Sequence, residues 1–188
     1  WKGLVGSEMC IRDSIKTWFV AVSAIPLVIL YPLAKRFTKW PQIILGLTFS
    51  WAVPTAWSAA NEEWNLGVFI MYLATVFWII GYDTIYGCQD KNEDEIFGIK
   101  NSAVSAKNFL TLFVGCSYSL MFCLLIISGY LLNNNIFWYI GVSICGLHLT
   151  NQVVKIKNIE QNSPLQIFKS NVVLGLLLTL SSLGNYIS

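Results

Sequence analysis

Charge is scarce in this chain. Of its 188 residues only 12% are Asp, Glu, Lys or Arg, while 55% are hydrophobic and 14% aromatic, and mean hydropathy is +0.60. A soluble domain carries about 25% charged residues, so the composition excludes an ordinary soluble domain and points to an integral membrane protein. Histidine occurs once, at His148, so no pair of histidines is available as metal or haem ligands. No CxxC pair occurs either: Cys10, Cys88, Cys116, Cys123 and Cys145 are scattered, and the last three fall inside apolar runs. They are expected to pack as small hydrophobes, with neither disulfides nor zinc ligands indicated. The formal net charge of +2 excludes little, because in a membrane protein what counts is which loops hold the Lys and Arg.

The first residues also lack something. Residues 1–14, WKGLVGSEMCIRDS, have no initiator Met, no periodicity, and no basic start, apolar centre and small-residue cleavage site of a signal peptide. This stretch is expected to be an artefact or non-native segment foreign to the fold, and the chain an N-terminally truncated piece.

Long uncharged runs dominate the remainder. Residues 17–34 run without charge to Tyr31-Pro32 and the basic group Lys35, Arg36 and Lys39; residues 40–61 and 64–82 follow. Each approaches the roughly 20 residues needed to cross a ~30 Å hydrocarbon core at about 1.5 Å per residue. Residues 108–154 are uncharged throughout and divided by Asn133-Asn134-Asn135, and residues 170–188 form a last run after the polar stretch 155–169, where Pro164 marks a break. The expected architecture is an all-α membrane bundle with six transmembrane helices present. Pro26 and Pro54 lie inside spans and are expected to kink them, leaving carbonyls for neighbouring helices to satisfy. Small residues such as Gly141 and Cys145, one turn apart, suit close helix packing.

Each crossing reverses side, which places Lys35, Arg36, Lys39, Lys91, Lys100, Lys107, Lys155, Lys157 and Lys169 on one face; the turns 61–63 and 133–135 have neither Lys nor Arg. By the positive-inside rule that face is cytoplasmic. On it lies an acidic stretch, GYDTIYGCQDKNEDEIFGIKNSA from Gly81 to Ala103. With no proline from 82 to 107, the third span is expected to continue as helix past the membrane surface. At 100° per residue, Asp90 and Asp94 then fall about 20° to either side of Asp83, on one stripe. Hard carboxylate oxygens so arranged suit Mg²⁺ that keeps waters and is completed by substrate phosphates. Asp83 directly follows an apolar run, at a depth where a bare carboxylate is costly and usually functional. The other reading is a solvated acidic loop. A calcium loop is excluded, because Glu95 stands where an EF-hand needs Gly and Asn101 where it needs its final Glu.

The string YDTIYGCQD, then Asp94, then GIKNSA resembles the second aspartate-rich motif of the UbiA family of intramembrane prenyltransferases. The segment YPLAKRFTKWPQIILGLTFSWAVP is similar to the stretch that precedes that motif in the family's 4-hydroxybenzoate polyprenyltransferase branch. The resemblance covers about residues 15–188, with both motifs in order and at the right separation, and reads that range as the C-terminal part of such a domain. It implies a bundle of about nine spans, of which about six are present, around a cavity opening laterally to lipid. It further implies Mg²⁺ bound by Asp83, Asp90 and Asp94, and a diphosphate contacted by Arg36, Lys100 and Lys35. Tyr86 matches the motif's tyrosine and Asn171 a cavity-facing asparagine. The partners implied are a polyprenyl diphosphate, an aromatic acceptor and the lipid bilayer, with no nucleic acid. The setting implied is a bacterial or mitochondrial inner membrane.

The family's first aspartate-rich motif and first three helices are absent from this sequence, so the piece alone is expected to be inactive. Trp40, Phe49, Trp51, Trp57, Phe77 and Trp78 could line a cavity or stabilise a carbocation, against the alternative of packing and interface anchoring. His148, beside Thr150, Asn151 and Gln152, is expected to pack or hydrogen-bond. Two alternatives stay open: the same family with a naphthoate, homogentisate, chlorophyllide or haem acceptor, and a transporter or channel subunit whose acidic stripe is a cation vestibule.

Overall fold

The computed structural model describes residues 15–60, 63–90, 96, 101–106, 109–159 and 162–184, and everything assigned among them is helix or short connection. In chain order the helices are α1 (Ile15–Val22), α2 (Ile25–Phe37), α3 (Pro41–Ser50), α4 (Ala52–Ala59), α5 (Leu66–Tyr86), α6 (Ser102–Ser105), α7 (Leu110–Leu131), α8 (Ile136–Lys157), α9 (Pro164–Lys169) and α10 (Asn171–Leu183). With the near-continuous pairs α1–α2, α3–α4 and α9–α10 each taken as one rod and the four-residue α6 set aside, they form six rods. Four rods are long and apolar enough to span a membrane: Ile15–Ala34, Leu66–Tyr86, Leu110–Leu131 and Pro164–Leu183. Helix α8 has 22 residues, or about 33 Å of rise, but His148, Asn151, Gln152 and two lysines make it more polar. The α3–α4 rod is interrupted at Trp51.

Local chemistry accounts for most helix ends. Asn65 caps α5, its side chain accepting from Val68 N at 3.1 Å, and Asn135 caps α8 by accepting from Phe137 N at 3.0 Å. Asn133, at φ 54°, turns the chain between α7 and α8, a conformation Asn tolerates better than most residues. Pro164 opens α9 at a position where its missing N–H costs nothing.

The first rod departs from the expected boundary. Its helix passes through Pro32 and ends at Phe37, so Arg36 sits on the last turn of α2. The rod breaks at Ser23–Ala24, directly before α2 opens with Pro26 in its first turn, where a proline kink was expected. There the carbonyl of Val20 is satisfied by Trp51 Nε1 of the neighbouring rod at 2.8 Å and by Ser23 Oγ at 2.6 Å. A neighbouring helix thus supplies the missing donor, as a proline-interrupted span in lipid requires.

Packing runs outward from α5. It lies against α7 along most of its length, against α3 and α4 on another side, and against α9; α7 continues to α8 and α8 to α10, while α1 and α2 pair with α4 and α3. Helices α5, α7, α8 and α9–α10 therefore close on themselves around a core that includes Ile85, Val114, Met121, Val142 and Leu174. The α1–α2 rod packs on one side only, leaving Trp18, Phe19, Val28 and Ile29 exposed. Close approach depends on small side chains: Gly81 faces the ring of Tyr118, Gly141 faces Ser181, and Cys145 Sγ lies 3.9 Å from the Leu174 carbonyl.

Candidate functional site

The acidic stretch begins on α5, but that helix does not continue through it. It ends at Tyr86 with Gly87 as its cap; the N–H groups of Cys88 and Gln89 then close tight turns on the carbonyls of Ile85 and Tyr86 at 3.1 and 3.0 Å. Asp90 lies in the bend that follows. The single helical stripe joining Asp83 to Asp90 is therefore overturned, and Asn101 packs where the helix stops. The Asn101 side chain presses on Gly87 so closely that a Cβ there would lie 2.5 Å from Asn101 Oδ1 and 2.7 Å from Nδ2. Asn101 Nδ2 donates to the Gly87 carbonyl there at 3.0 Å. Asp94 and Lys100, the side chain of Lys35 and all of residues 1–14 lie outside the described residues.

Of the remaining candidates, Asp83 is half-buried on the last turn of α5, while Asp90, Arg36 and Tyr86 are exposed. Gln42, five residues past the end of α2, bonds Asn101, and Asn101 bonds the Gly87 carbonyl just past the end of α5. The end of α2 that carries Arg36 is thus at the same end of the bundle as the end of α5 that carries Asp83. Among the described residues no group of three or more His, Cys, Asp or Glu is placed to hold a metal ion. The described donors, Asp83 and Asp90, are hard carboxylate oxygens, the type Mg²⁺ prefers.

Tyr86 packs on the Phe168 ring at 5.0 Å between centroids, and Tyr82 meets the same ring at 5.5 Å. Asn171 is buried one helix further on, where its Oδ1 accepts from Trp78 Nε1 at 2.9 Å. Trp78 and Asn171 thereby tie α10 to α5 beneath the carboxylates. Next to them Tyr118 OH donates to Gln152 Oε1 at 2.8 Å, and Gln152 Nε2 donates to Ser170 Oγ at 2.9 Å and lies 3.2 Å from His148 Nε2. His148 is therefore a hydrogen-bonded member of a polar cluster, as the sequence suggested.

The other aromatics divide. Trp40 packs on Phe113 at 4.9 Å, Trp51 meets Tyr72 edge-on and Phe77 sits against the core, whereas Trp57 Nε1 donates to the Glu63 carbonyl and Phe49 is exposed. A groove of about 1190 Å³ runs between α7 and α8, lined by residues including Gly115, Ser119, Phe122, Gly146 and Thr150, with Lys157 at one end. None of the described residues of the acidic stretch lines it.

Sequence reasoning missed Gln42. Its buried amide joins Asn101 and Ser102 at the far end of the acidic stretch. The signal available was a polar residue directly after Pro41 at the start of an apolar run.

A bundle of long apolar helices with buried polar clusters defines an all-α integral membrane protein. Residues 5–180 match the profile of the UbiA prenyltransferase family, and the chain belongs to that family. It is 35% identical over 183 residues to the mitochondrial 4-hydroxybenzoate polyprenyltransferase of Dictyostelium discoideum, covering 92% of this chain and 38% of that protein. It is 36% identical over 171 residues to the 4-hydroxybenzoate octaprenyltransferase of Francisella tularensis subsp. novicida (91% of this chain, 60% of the relative). It is 33% identical over 172 residues to the enzyme of that name from Salmonella paratyphi B (90% and 59%). The chain thus spans from under two fifths to three fifths of the length of these curated relatives. No solved structure matches it.

Proposed function

We propose that the protein carrying this chain is an aromatic polyprenyltransferase that moves a polyprenyl group from its diphosphate to the ring of 4-hydroxybenzoate, in ubiquinone biosynthesis. The observation that supports this most is the run of relatives bearing that name along nine tenths of the chain, including the stretch Tyr82–Ala103. The acidic stretch faces the cytoplasm in this reading, or the matrix in a mitochondrion, because the lysine-bearing loops share its side.

In this mechanism Asp83, Asp90 and Asp94 would hold Mg²⁺, which would supply positive charge to offset that of the leaving diphosphate. Arg36, Lys35 and Lys100 contact the diphosphate oxygens and stabilise the charge that builds on them as the allylic carbon–oxygen bond breaks. The apolar helices beneath exclude water from the electron-poor allylic carbon; the ring carbon of the phenol acceptor attacks it as diphosphate leaves, and that ring carbon then loses its proton to restore aromaticity. Tyr86 and Tyr82, set on Phe168, and Asn171, set on Trp78, position the wall below the carboxylates.

Full-length protein in membranes, supplied with polyprenyl diphosphate and 4-hydroxybenzoate, is expected to release diphosphate and form prenylated product only with Mg²⁺ present. Asp90→Asn is expected to lower kcat/KM by roughly 100- to 1,000-fold, the scale of losing one preorganised electrostatic stabiliser. Full activity in that variant or under chelation refutes the assignment. Turnover of a naphthoate, homogentisate, chlorophyllide or haem in place of 4-hydroxybenzoate reassigns the acceptor, and solute flux in liposomes without product places the protein in another class.

A further inference from the structure

Three segments far apart in sequence meet in one buried polar knot. Asn101 Nδ2 donates to the Gly87 carbonyl at 3.0 Å, and its Oδ1 accepts from Ala103 N at 3.0 Å and from Gln42 Nε2 at 2.9 Å. Gln42 Oε1 in turn accepts from Ser102 N at 3.0 Å and from Ser102 Oγ. Gln42, Asn101 and Ser102 are 5%, 7% and 0% exposed. Neither amide can be reversed: Ala103 N–H demands an oxygen from Asn101, the Gly87 carbonyl demands an NH₂, and both Ser102 donors demand an oxygen from Gln42. Beside the knot, Ser105 Oγ donates to the Lys39 carbonyl at 2.9 Å.

The knot joins two kinds of charge. Gln42 is fixed on α3 six residues after Arg36 and three after Lys39; Gly87 is four residues after Asp83 and three before Asp90. We propose that Gln42 is a positioning residue that sets the register of the Gly87–Asp90 turn against the basic segment, so that carboxylates and cations meet one diphosphate. This rests on the prenyltransferase reading for its catalytic consequence, though not for its geometry. A side chain that only filled space at this place would not need to satisfy three donors and acceptors of the turn's far anchor. Leaving any one of them unpaired in a buried site is costly.

Gln42→Glu in the full-length protein is the test, because it keeps size and the acceptor to Ser102 while setting an oxygen against Asn101 Oδ1. Cys88, one residue beyond Gly87 and half-buried, reports the turn; Cys145, 1% exposed in α8, reports the core. Alkylation resolved by residue with mass spectrometry is expected to be about tenfold faster at Cys88 in the variant, with Cys145 unchanged, the effect of one buried hydrogen bond turned into a repulsion. In turnover, KM for the polyprenyl diphosphate and half-saturating Mg²⁺ are expected to rise about tenfold together, with KM for the aromatic acceptor unmoved and kcat lowered much less. Ser102→Ala, which removes one hydroxyl and keeps both amides, is expected to show the same pattern more weakly. An unchanged Cys88 rate overturns the proposal. So does a parallel rise at Cys88 and Cys145, or a loss of activity that follows folded fraction with both constants unmoved. If the wild-type protein transfers no prenyl group, the functional reading falls by itself, and the alkylation pattern still decides whether Gln42 holds the turn.

Discussion

Replacing Gly81 by Ala tests the seam between α5 and α7 on which the acidic end of the bundle rests. A Cβ at residue 81 would fall against the Tyr118 ring, 2.7 Å from Cδ1 and 3.2 Å from Cζ, and closer still to Cε1. The ring cannot swing aside freely, because Tyr118 is 3% exposed and its hydroxyl is committed to Gln152 at 2.8 Å. Gln152 is itself committed to Ser170. Forcing extra volume into a packed core costs about 1–3 kcal/mol, and an interhelical hydrogen bond within a bilayer contributes roughly 0.6–1.7 kcal/mol. Gly81→Ala is therefore expected to destabilise by about 2–4 kcal/mol in reversible unfolding of the full-length protein in mixed micelles. Tyr118→Leu alone loses the hydrogen bond and leaves space; combined with Gly81→Ala it lets the new methyl occupy that space. The double-mutant cycle should then show a favourable coupling of about 1–3 kcal/mol. A Gly81→Ala cost within about 0.5 kcal/mol of zero, or additive single effects, refutes the view that ring and hydroxyl are pinned together.

Three further outcomes follow from individual contacts. Trp78→Phe leaves Asn171 Oδ1 without its 2.9 Å donor and is expected to cost about 1 kcal/mol in the same unfolding measurement; no change would mean the pair is not joined. Asn135→Ala removes both the α8 cap and the 2.8 Å bond from Asn135 Nδ2 to the Gly184 carbonyl, for an expected loss of roughly 0.5–2 kcal/mol. Gly87→Ala places a methyl on the Asn101 amide and is expected to speed Cys88 alkylation as Gln42→Glu does; an unchanged rate would show that Asn101 has room to move.

The fold was legible where a residue's own chemistry ends a helix or keeps it in lipid. The uncharged runs correspond to the six helical rods, four of them long and apolar enough to span a membrane, Asn133 to Asn135 and Pro164 mark two boundaries, and Gly141 and Cys145 lie in the close contact between α8 and α10 that their size suggests. It was not legible where a distant partner decides. The kink expected at Pro26 is present, but nothing local shows that Trp51 reaches the Val20 carbonyl there from another rod, or that Pro32 leaves the helix unbroken. The helix carrying Asp83 had no proline to stop it, and nothing local shows that Asn101, fourteen residues later, bonds the Gly87 carbonyl where the helix stops. Gln42 was invisible for the same reason: its partners lie some sixty residues away, and only the folded chain brings them to it. The candidate residues themselves came from a resemblance of motifs, whereas their relative placement came from these long-range hydrogen bonds.

The knot at Gln42 also orders events during synthesis. Its last partner, Ser102, leaves the ribosome sixty residues after Gln42. By then α3 and α4 have been made, and the whole of α5 must cross before Gly87 and Asn101 can meet. Until that moment the Gln42 amide has only water to bond, which it can find at the membrane face but not at its centre. The basic segment is therefore made as an open half and completed only by residues that follow α5 in the chain. A chain whose α5 enters the wrong way round cannot close it.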